Sequence, residues 1–290
     1  MTRKSIFEML KDVYNIPQEM NKIVKLFSSG LIYYYTMDDY WRNNTHSLTI
    51  EELVDLEILH KWKQRGTCLT CEEIRNAIKF PDTFTAETNI DIIISCLEYY
   101  YNLLYLSIDK FNILHHASYK CYTKKLILVK QNMDTLIEHL HYEVHTIEEE
   151  EKVILTPKDS AATAVAEIST KNTAMAILQY HHVSLKGNLT EKKSLLRDIA
   201  NEYEPLLEKP ISGFNEYFDK ANNMLNNLDI RHNNKDGKHK KENLLGITDS
   251  ELEKWYDELY QLLLFCVLIN DNVKRKKNIE KFLAQVNAKK

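Results

Sequence analysis

Residues 214–228 read FNEYFDKANNMLNNL, and their apolar side chains recur every three or four positions. An α-helix has about 3.6 residues per turn, so this spacing places them on one helix face. They are Phe214, Tyr217, Phe218, Ala221, Met224, Leu225 and Leu228. A capping signal at 248–251 starts a second amphipathic helix, which we predict ends near the basic run 274–277. We expect the two helices to pair antiparallel in a bundle of about four or five helices.

The chain before this stretch also favours helices. Hydroxyl and carboxylate residues with capping-box spacing, Thr49 with Glu52 and Thr70 with Glu73, predict two helix starts. Apolar periodicity adds further segments. The predicted helices are 3–14, 18–34, 50–64, 71–79, 88–106, 118–145, 159–180 and 190–206. The fold class expected from the sequence is therefore all-α.

An acidic run at 148–151, followed by Pro157, marks a change in composition. We interpret the four glutamates as a solvated helix end or linker, and we place a domain boundary or hinge here. The predicted organisation is an N-terminal helical domain over 1–150 and a helical bundle over 158–290.

The composition excludes several protein classes. Only 6 Gly and 5 Pro occur in 290 residues, which disfavours β-sandwiches, barrels and Gly-rich phosphate loops. With a net charge of −4, any binding to nucleic acid must use a local basic patch. No apolar run approaches the roughly 18 residues of a membrane span. The scattered cysteines and the absence of a signal peptide predict a cytoplasmic protein.

Such a basic patch occurs at 229–242, between the last two predicted helices, where five Lys and Arg residues face three acids. Its first part reads DIRHNNKDGKH, with Arg231 followed by two histidines and two asparagines. RNA can be cut when a histidine removes the proton of the 2′-hydroxyl and an arginine stabilises the charge on the attacked phosphate. The same side chains also suffice for phosphate binding without a reaction.

Arg231, with a polar residue directly after it and a histidine beyond, resembles the motif of the HEPN superfamily. The similarity covers about residues 159–290, and the wider run also looks like bacterial abortive-infection proteins of that kind. It implies a HEPN-like bundle and a metal-independent endoribonuclease toxin of a phage-defence or toxin–antitoxin system. It also implies an RNA substrate, of which tRNA is one candidate, a homodimer, and an antitoxin or phage-derived trigger. Neither a cofactor nor a membrane partner is implied.

The resemblance assigns roles to this stretch. Arg231 would stabilise the phosphate, Asn233 would support catalysis, and either His232 or His239 would be the general base. Seven residues separate Arg231 from His239, so both histidines stay candidates. The predicted substrate-binding residues are Asn234, Lys235, Lys238 and Lys240. The alternative function is a non-catalytic helical interaction protein or a nucleic-acid-binding adaptor.

Two other motifs carry weaker chemical signals. Cys68 and Cys71 form a CxxC, which we interpret as a coincidence at a helix start because zinc would require a second pair. His141 and His145 are spaced to share one face of the predicted helix 118–145, with His139 nearby. That spacing suits metal ligands, but no carboxylate scaffold accompanies it, so we predict no metal site.

Overall fold

The computed structural model of this chain divides into two compact units, Met1–Pro157 and Lys158–Lys290. It is mostly helical, in agreement with the expected class. The structure describes residues 15–30, 32–34, 46–111, 119–121, 123–209, 211–231 and 246–287. The predicted helix 3–14 lies outside these residues.

The first unit contains five α-helices among its described residues. They are α1 (Ile16–Phe27), α2 (Ile50–Glu57), α3 (Cys71–Ala77), α4 (Ile90–Leu104) and α5 (Thr123–His139). It also contains five short strands. They are β1 (Ile32–Tyr34), β2 (His46–Leu48), β3 (Tyr119–Cys121), β4 (Tyr142–Ile147) and β5 (Lys152–Pro157). A single π-helical turn, Tyr105–Lys110, continues α4.

Local capping signals start the helices of this unit as predicted. The hydroxyl of Thr49 accepts a hydrogen bond from the Glu52 backbone N–H at 3.1 Å, and the Glu52 carboxylate accepts from the Thr49 N–H at 2.7 Å. This reciprocal pair confirms the capping box at the start of α2. Thr70 caps α3 by accepting from the Glu73 N–H at 3.2 Å, but the box is not reciprocal, since the Glu73 carboxylate accepts from the Leu69 N–H at 2.7 Å.

The core of the first unit includes the tyrosine run of α4. Tyr99, Tyr100 and Tyr101 are all buried, and the Tyr100 ring stacks on Phe27 of α1 at a centroid distance of 4.0 Å. The sequence 90–104 is apolar on most sides because neighbouring elements cover α4 from several directions. These tyrosines therefore serve helix packing.

Two predicted helices of this unit are too long because strands replace their ends. The predicted helix 18–34 ends at Phe27, and Ile32–Tyr34 instead forms the central strand of an antiparallel sheet ordered β2-β1-β3. The predicted helix 118–145 is likewise wrong at both ends, since β3 precedes α5 and β4 follows it. Strand pairing between distant residues outweighs local helical preference at these positions.

The predicted linker around the acidic run is a β-hairpin. Strands β4 and β5 pair antiparallel, from Tyr142 opposite Pro157 to Ile147 opposite Lys152. The glutamates at 148–150 form the 3₁₀ turn between them, and Glu151 has a left-handed φ of 53°. The acidic run is therefore the tip of a hairpin within the first unit.

The second unit contains five α-helices among its described residues. They are α6 (Ser160–Ala166), α7 (Lys171–Gln179), α8 (Leu189–Leu207), α9 (Asn215–Asn227) and α10 (Asp249–Asn287). The predicted helix 159–180 is broken between α6 and α7. The core of the second unit contains buried residues from all five of these helices, and in α9 and α10 it includes Phe218, Leu225, Leu259 and Leu263, all fully buried. Phe214 and Tyr217 belong to the predicted apolar face of α9 but are 38% and 42% exposed.

The last helix differs from the prediction in its length. Thr248 caps it as expected, by accepting from the Glu251 N–H at 3.3 Å. The helix then continues through the basic run 274–277 to Asn287, so those cations lie within α10 and not at its end. Among the described residues, no helix combines the length and the apolar character needed to cross a bilayer.

Candidate functional site

Arg231 lies directly after α9, where the chain reverses direction. The turn closes with hydrogen bonds from the Leu228 N–H to the Met224 carbonyl at 2.8 Å and from the Arg231 N–H to the Leu225 carbonyl at 3.2 Å. Asp229 supplies the left-handed residue of this turn, with φ at 65°, a conformation that aspartate adopts more readily than most residues. The turn brings Arg231 back alongside the last turns of α9.

The guanidinium of Arg231 is held by three side chains. Its Nη1 donates to Asn226 Oδ1 at 3.3 Å, and its Nη2 donates to Asn222 Oδ1 at 3.2 Å. The two amides are four residues apart and therefore lie on one face of α9. Nη2 also lies 3.2 Å from Glu204 Oε1 on α8, with the Arg231 side chain 21% exposed and that of Glu204 49% exposed.

Helix α8 brings two further cations to the same turn. Lys193 Nζ lies 2.7 Å from Asp229 Oδ2, and Arg197 Nε donates to the Ile230 carbonyl at 3.2 Å. Lys193 and Arg197 therefore contact the two residues that precede Arg231, and the acids paired with Lys193 and Arg231 are Asp229 and Glu204, respectively. These contacts join three cations, Lys193, Arg197 and Arg231, with two carboxylates.

A buried tyrosine of α10 lies near these charges. Tyr256 is 2% exposed, and burial raises the pKa of its phenol to about 12. The negative charge of Asp229 contributes to this raised pKa, whereas the positive charge of Arg197 opposes it. The phenol therefore stays protonated at neutral pH and cannot act there as a base.

Arg231 is the predicted site residue that the structure describes. The others lie outside the described residues, within 232–245. They are His232, Asn233, Asn234, Lys235, Lys238, His239 and Lys240. The described part of the site contains no histidine, and both candidate histidines lie in the adjoining stretch 232–239.

Sequence reasoning missed the residues that surround Arg231. They are Lys193, Arg197, Glu204, Asn222 and Asn226. A spacing signal was present, because 193, 197 and 204 fall on one face of α8. That spacing does not indicate which helix this face of α8 contacts. Only the packing of the second unit brings the face to the end of α9.

The arrangement is suited chemically to binding a phosphate. An arginine has five N–H donors in a planar fork that matches two phosphate oxygens. The amides of Asn222 and Asn226 fix the orientation of the Arg231 fork. Glu204 is the more exposed partner of Arg231, so a phosphate oxygen could replace its carboxylate without disturbing the two amide contacts.

A separate buried ion cluster joins α8 to α10 and fits a structural role. Lys192 is 4% exposed, and its Nζ lies 2.8 Å from Asp257 Oδ1 and 2.9 Å from Glu253 Oε1. It also lies 5.2 Å from the ring centroid of Tyr180. A buried ammonium requires such partners, since an unpaired charge is costly to bury. We therefore assign Lys192 to helix packing and the adjacent Lys193 to the Arg231 site.

The CxxC of the first unit lies where a reactive thiol is disfavoured. Cys71 is 1% exposed at the start of α3, and burial raises the pKa of its thiol well above the usual range. Within the ranges that the structure describes, no group of His, Cys, Asp and Glu side chains could hold a metal ion.

The predicted helical spacing of the histidines is wrong. His141 has a left-handed φ of 58° and follows α5, and His145 lies on strand β4. His145 Nε2 lies 3.3 Å from the Glu143 carboxylate on the same strand. The two histidines therefore do not share a helix face.

Comparisons of the chain with protein-family models, with curated proteins and with solved structures found no match. The functional interpretation therefore rests on the chemistry of the side chains around Arg231 and on the motif that begins there.

Proposed function

We propose that the chain is a metal-independent endoribonuclease of the HEPN type, acting through a site at Arg231. The observation that carries the proposal is the convergence of Arg231, Arg197 and Lys193 where the chain enters the histidine-bearing stretch 232–239. Three cations at this point would attract and position an RNA phosphate beside a candidate general base.

The proposed reaction uses the RNA's own 2′-hydroxyl as the nucleophile. His232 or His239 takes its proton, the 2′-oxygen attacks phosphorus, and the bond to the 5′-oxygen breaks. The leaving oxygen takes up a proton, which gives a 2′,3′-cyclic phosphate and a 5′-hydroxyl. Arg231 donates to the non-bridging oxygens as negative charge develops on them.

The other residues of the stretch 232–240 would bind the RNA and orient the reacting groups. Asn233 would orient the phosphate or the histidine, and the substrate contacts would come from Asn234, Lys235, Lys238 and Lys240. Each lysine would neutralise a neighbouring phosphate, so binding should weaken as the salt concentration rises. In cells, such an enzyme would be a cytoplasmic toxin in phage defence or a toxin–antitoxin pair, held inactive by an antitoxin or released by a phage-derived trigger.

The first prediction concerns Arg231. We expect the purified 290-residue chain to cleave labelled tRNA or total RNA in EDTA and to leave 2′,3′-cyclic phosphate ends. Arg231→Ala should lower the cleavage rate on the order of 100-fold to 1,000-fold, because it removes a donor that stabilises developing charge. Arg231→Lys should restore little activity, because an ammonium cannot bond two oxygens in a planar fork.

Matched variants make this test specific. Lys220 lies on α9 and pairs with Glu216 four residues away, so Lys220→Ala removes a cation from the same helix and should leave cleavage unchanged. His232→Ala and His239→Ala should identify the base, since only one of them should abolish cleavage. Circular dichroism of each variant should match that of the wild type, which would show that the helices are kept.

The alternative is an adaptor that binds RNA without cutting it. The cations Lys193, Arg197 and Arg231 would suffice to bind RNA phosphates. The adaptor function predicts salt-dependent RNA binding that Arg231→Ala weakens. Intact RNA, together with normal growth when the wild-type chain is expressed, would favour the adaptor and contradict the ribonuclease. Growth arrest that Arg231→Ala relieves would support the ribonuclease.

A further inference from the structure

The last part of α10, residues 274–287, extends beyond the packed core of the second unit. Leu259, Leu263 and Val267 of this helix are buried, whereas every residue from 274 to 287 is exposed. At 1.5 Å per residue this part, here named the α10 extension, is about 20 Å long and makes about four turns. A helix of this length is marginally stable in water, and packing of an apolar face normally stabilises it.

Large apolar side chains follow one side of the α10 extension. They occupy positions i, i+3, i+4 and i+7, which share one face of an α-helix. These four residues form the apolar stripe: Ile279 at 57%, Phe282 at 62%, Leu283 at 50% and Val286 at 42% exposed. Ile279 follows the buried Leu263 by about four and a half helical turns, so the stripe lies on nearly the opposite side of the helix from Leu263. No described element of the second unit covers this stripe.

The α10 extension is basic, although the chain as a whole is acidic. It contains five Lys and Arg residues and one Glu, whereas the net charge of the chain is −4. Arg275 pairs with Asp271, and Lys276 Nζ lies 3.9 Å from Glu280 Oε1. The other cations, Lys274, Lys277 and Lys281, are exposed. Ion pairs on the surface are weak, so all five cations can still act on an anionic partner.

The cations lie around the whole circumference of the helix. Lys277 and Lys281 are two positions on either side of Ile279 and therefore project opposite the stripe. Arg275 is one turn before Ile279 and lies on the same side as the stripe. The field of an anionic lipid surface reaches about one Debye length, roughly 8–10 Å, which is close to the diameter of a helix. Such a surface would attract cations on every side of the α10 extension.

Two other classes of partner would match only part of this pattern. An apolar groove in a protein would cover the stripe but would leave Lys277 and Lys281 facing water. A nucleic acid would neutralise the cations but would leave four large apolar side chains exposed. An anionic bilayer covers the apolar side among its acyl chains and attracts the basic side at the same time, as it does for other amphipathic helices that lie in the interface.

We propose that the α10 extension binds the surface of an anionic bilayer and lies in its plane, with the apolar stripe inserted below the headgroups. Its five cations oppose an arrangement that spans the bilayer. The cytoplasmic leaflet carries anionic lipids, so this surface is compatible with a cytoplasmic protein. The inference rests on the α10 extension alone and does not depend on the proposed ribonuclease activity.

The test measures binding of the 290-residue chain to sedimented lipid vesicles. We expect binding to vesicles of equal parts phosphatidylserine and phosphatidylcholine, weaker binding to phosphatidylcholine alone, and a loss of binding as the salt concentration rises. Lys277→Ala together with Lys281→Ala should weaken binding to the anionic vesicles about 30-fold, since each lysine near such a surface contributes about a factor of five. Lys220→Ala together with Lys254→Ala removes two exposed cations outside the extension and should leave binding unchanged.

A second pair of variants tests the apolar stripe without changing the net charge. Ile279→Ser together with Phe282→Ser should weaken vesicle binding on the order of 100-fold, because it removes the apolar surface that enters the bilayer. The matched control is Leu69→Ser together with Leu128→Ser, at leucines of the first unit that are 73% and 58% exposed. This control should bind as the wild type does. The replaced side chains are all exposed, so circular dichroism should show the same helix content in every variant.

Several outcomes would overturn the proposal. Absence of vesicle binding would do so, as would equal binding to both kinds of vesicle at every salt concentration. Vesicle binding that neither pair of substitutions weakens would place the lipid contact elsewhere on the chain. Self-association that depends on the stripe, without vesicle binding, would assign the stripe to a second copy. RNA binding that is lost with the two lysine substitutions, again without vesicle binding, would assign the cations to nucleic acid.

Discussion

A single histidine shows how packing in the second unit changes side-chain chemistry. His181 lies edge-on to the rings of Tyr180 and Tyr260, at centroid distances of 5.0 and 4.9 Å. Burial lowers the pKa of its imidazole, an effect that Lys192 reinforces and that Asp257 and Asp159 oppose. The folded protein therefore holds this histidine neutral at neutral pH.

This shift predicts a pH dependence of stability. The folded pKa lies below the unfolded value of about 6.5, so the unfolded chain binds more protons once the pH falls below that value. The stabilising effect is complete above the unfolded pKa and is lost as the pH falls toward the folded pKa. We expect His181→Gln to flatten the decline in the free energy of unfolding between about pH 7 and pH 5, measured by urea denaturation.

The exposed His60 provides the control, since His60→Gln removes a histidine that lies at the surface. It should leave the pH profile close to that of the wild type. An unchanged profile in His181→Gln would show that the pKa of this imidazole is not lowered in the folded protein.

At the scale of elements, helix α4 completes the hairpin β4–β5. Asn102 Nδ2 donates to the Val153 carbonyl at 2.7 Å, and the Val153 N–H donates to Asn102 Oδ1 at 2.8 Å. One turn earlier, Glu98 accepts from the Leu155 N–H at 2.7 Å. The helix thus satisfies backbone groups of β5 that β4 does not reach, as a third strand would.

This contact predicts that Asn102 is costly to replace. Asn102→Leu would leave a buried N–H and a buried carbonyl of Val153 without partners, and each such group costs about 1–3 kcal/mol. We expect the free energy of unfolding to fall by roughly 2–4 kcal/mol in urea denaturation. Asn132 lies exposed on α5, so Asn132→Leu should stay within about 0.5 kcal/mol of the wild type. Unchanged hydrogen exchange at the Val153 amide in Asn102→Leu would contradict this account.

At the scale of the whole molecule, the second unit has a hydrophobic core of its own. The buried residues of this core run from Ala162 to Ile269, all within Lys158–Lys290. A segment of this size that buries a continuous core meets the requirements of an independent domain. We therefore expect residues 158–290 to fold when they are expressed alone.

The corresponding test compares two substitutions in that fragment at one fixed protein concentration. Phe218 is fully buried, so Phe218→Ala should lower the free energy of unfolding by about 3–5 kcal/mol. Ile168 is 42% exposed, and Ile168→Ala should cost less than about 1 kcal/mol. A fragment without cooperative unfolding would show that this core needs the first unit.

The sequence alone predicted the elements whose causes are local. The apolar spacing of 214–228 predicted α9, and hydroxyl caps at Thr49 and Thr248 predicted where α2 and α10 begin. Helix periodicity and capping involve residues at most a few positions apart, so the printed sequence contains all the interactions that decide them. Arg231 was likewise identified as a candidate site residue from the residues that follow it within a few positions.

Interactions between distant residues needed the tertiary structure. The segment 142–157 became a hairpin because its strands pair with each other and with α4, some 50 residues away for Asn102 and Val153. Arg231 meets Glu204, and Asp229 meets Lys193, because α8 packs beside the end of α9. Local periodicity determines which face of a helix is apolar. Only the packing of the whole core determines which polar side chains then meet, since those contacts depend on how several helices fill one volume together.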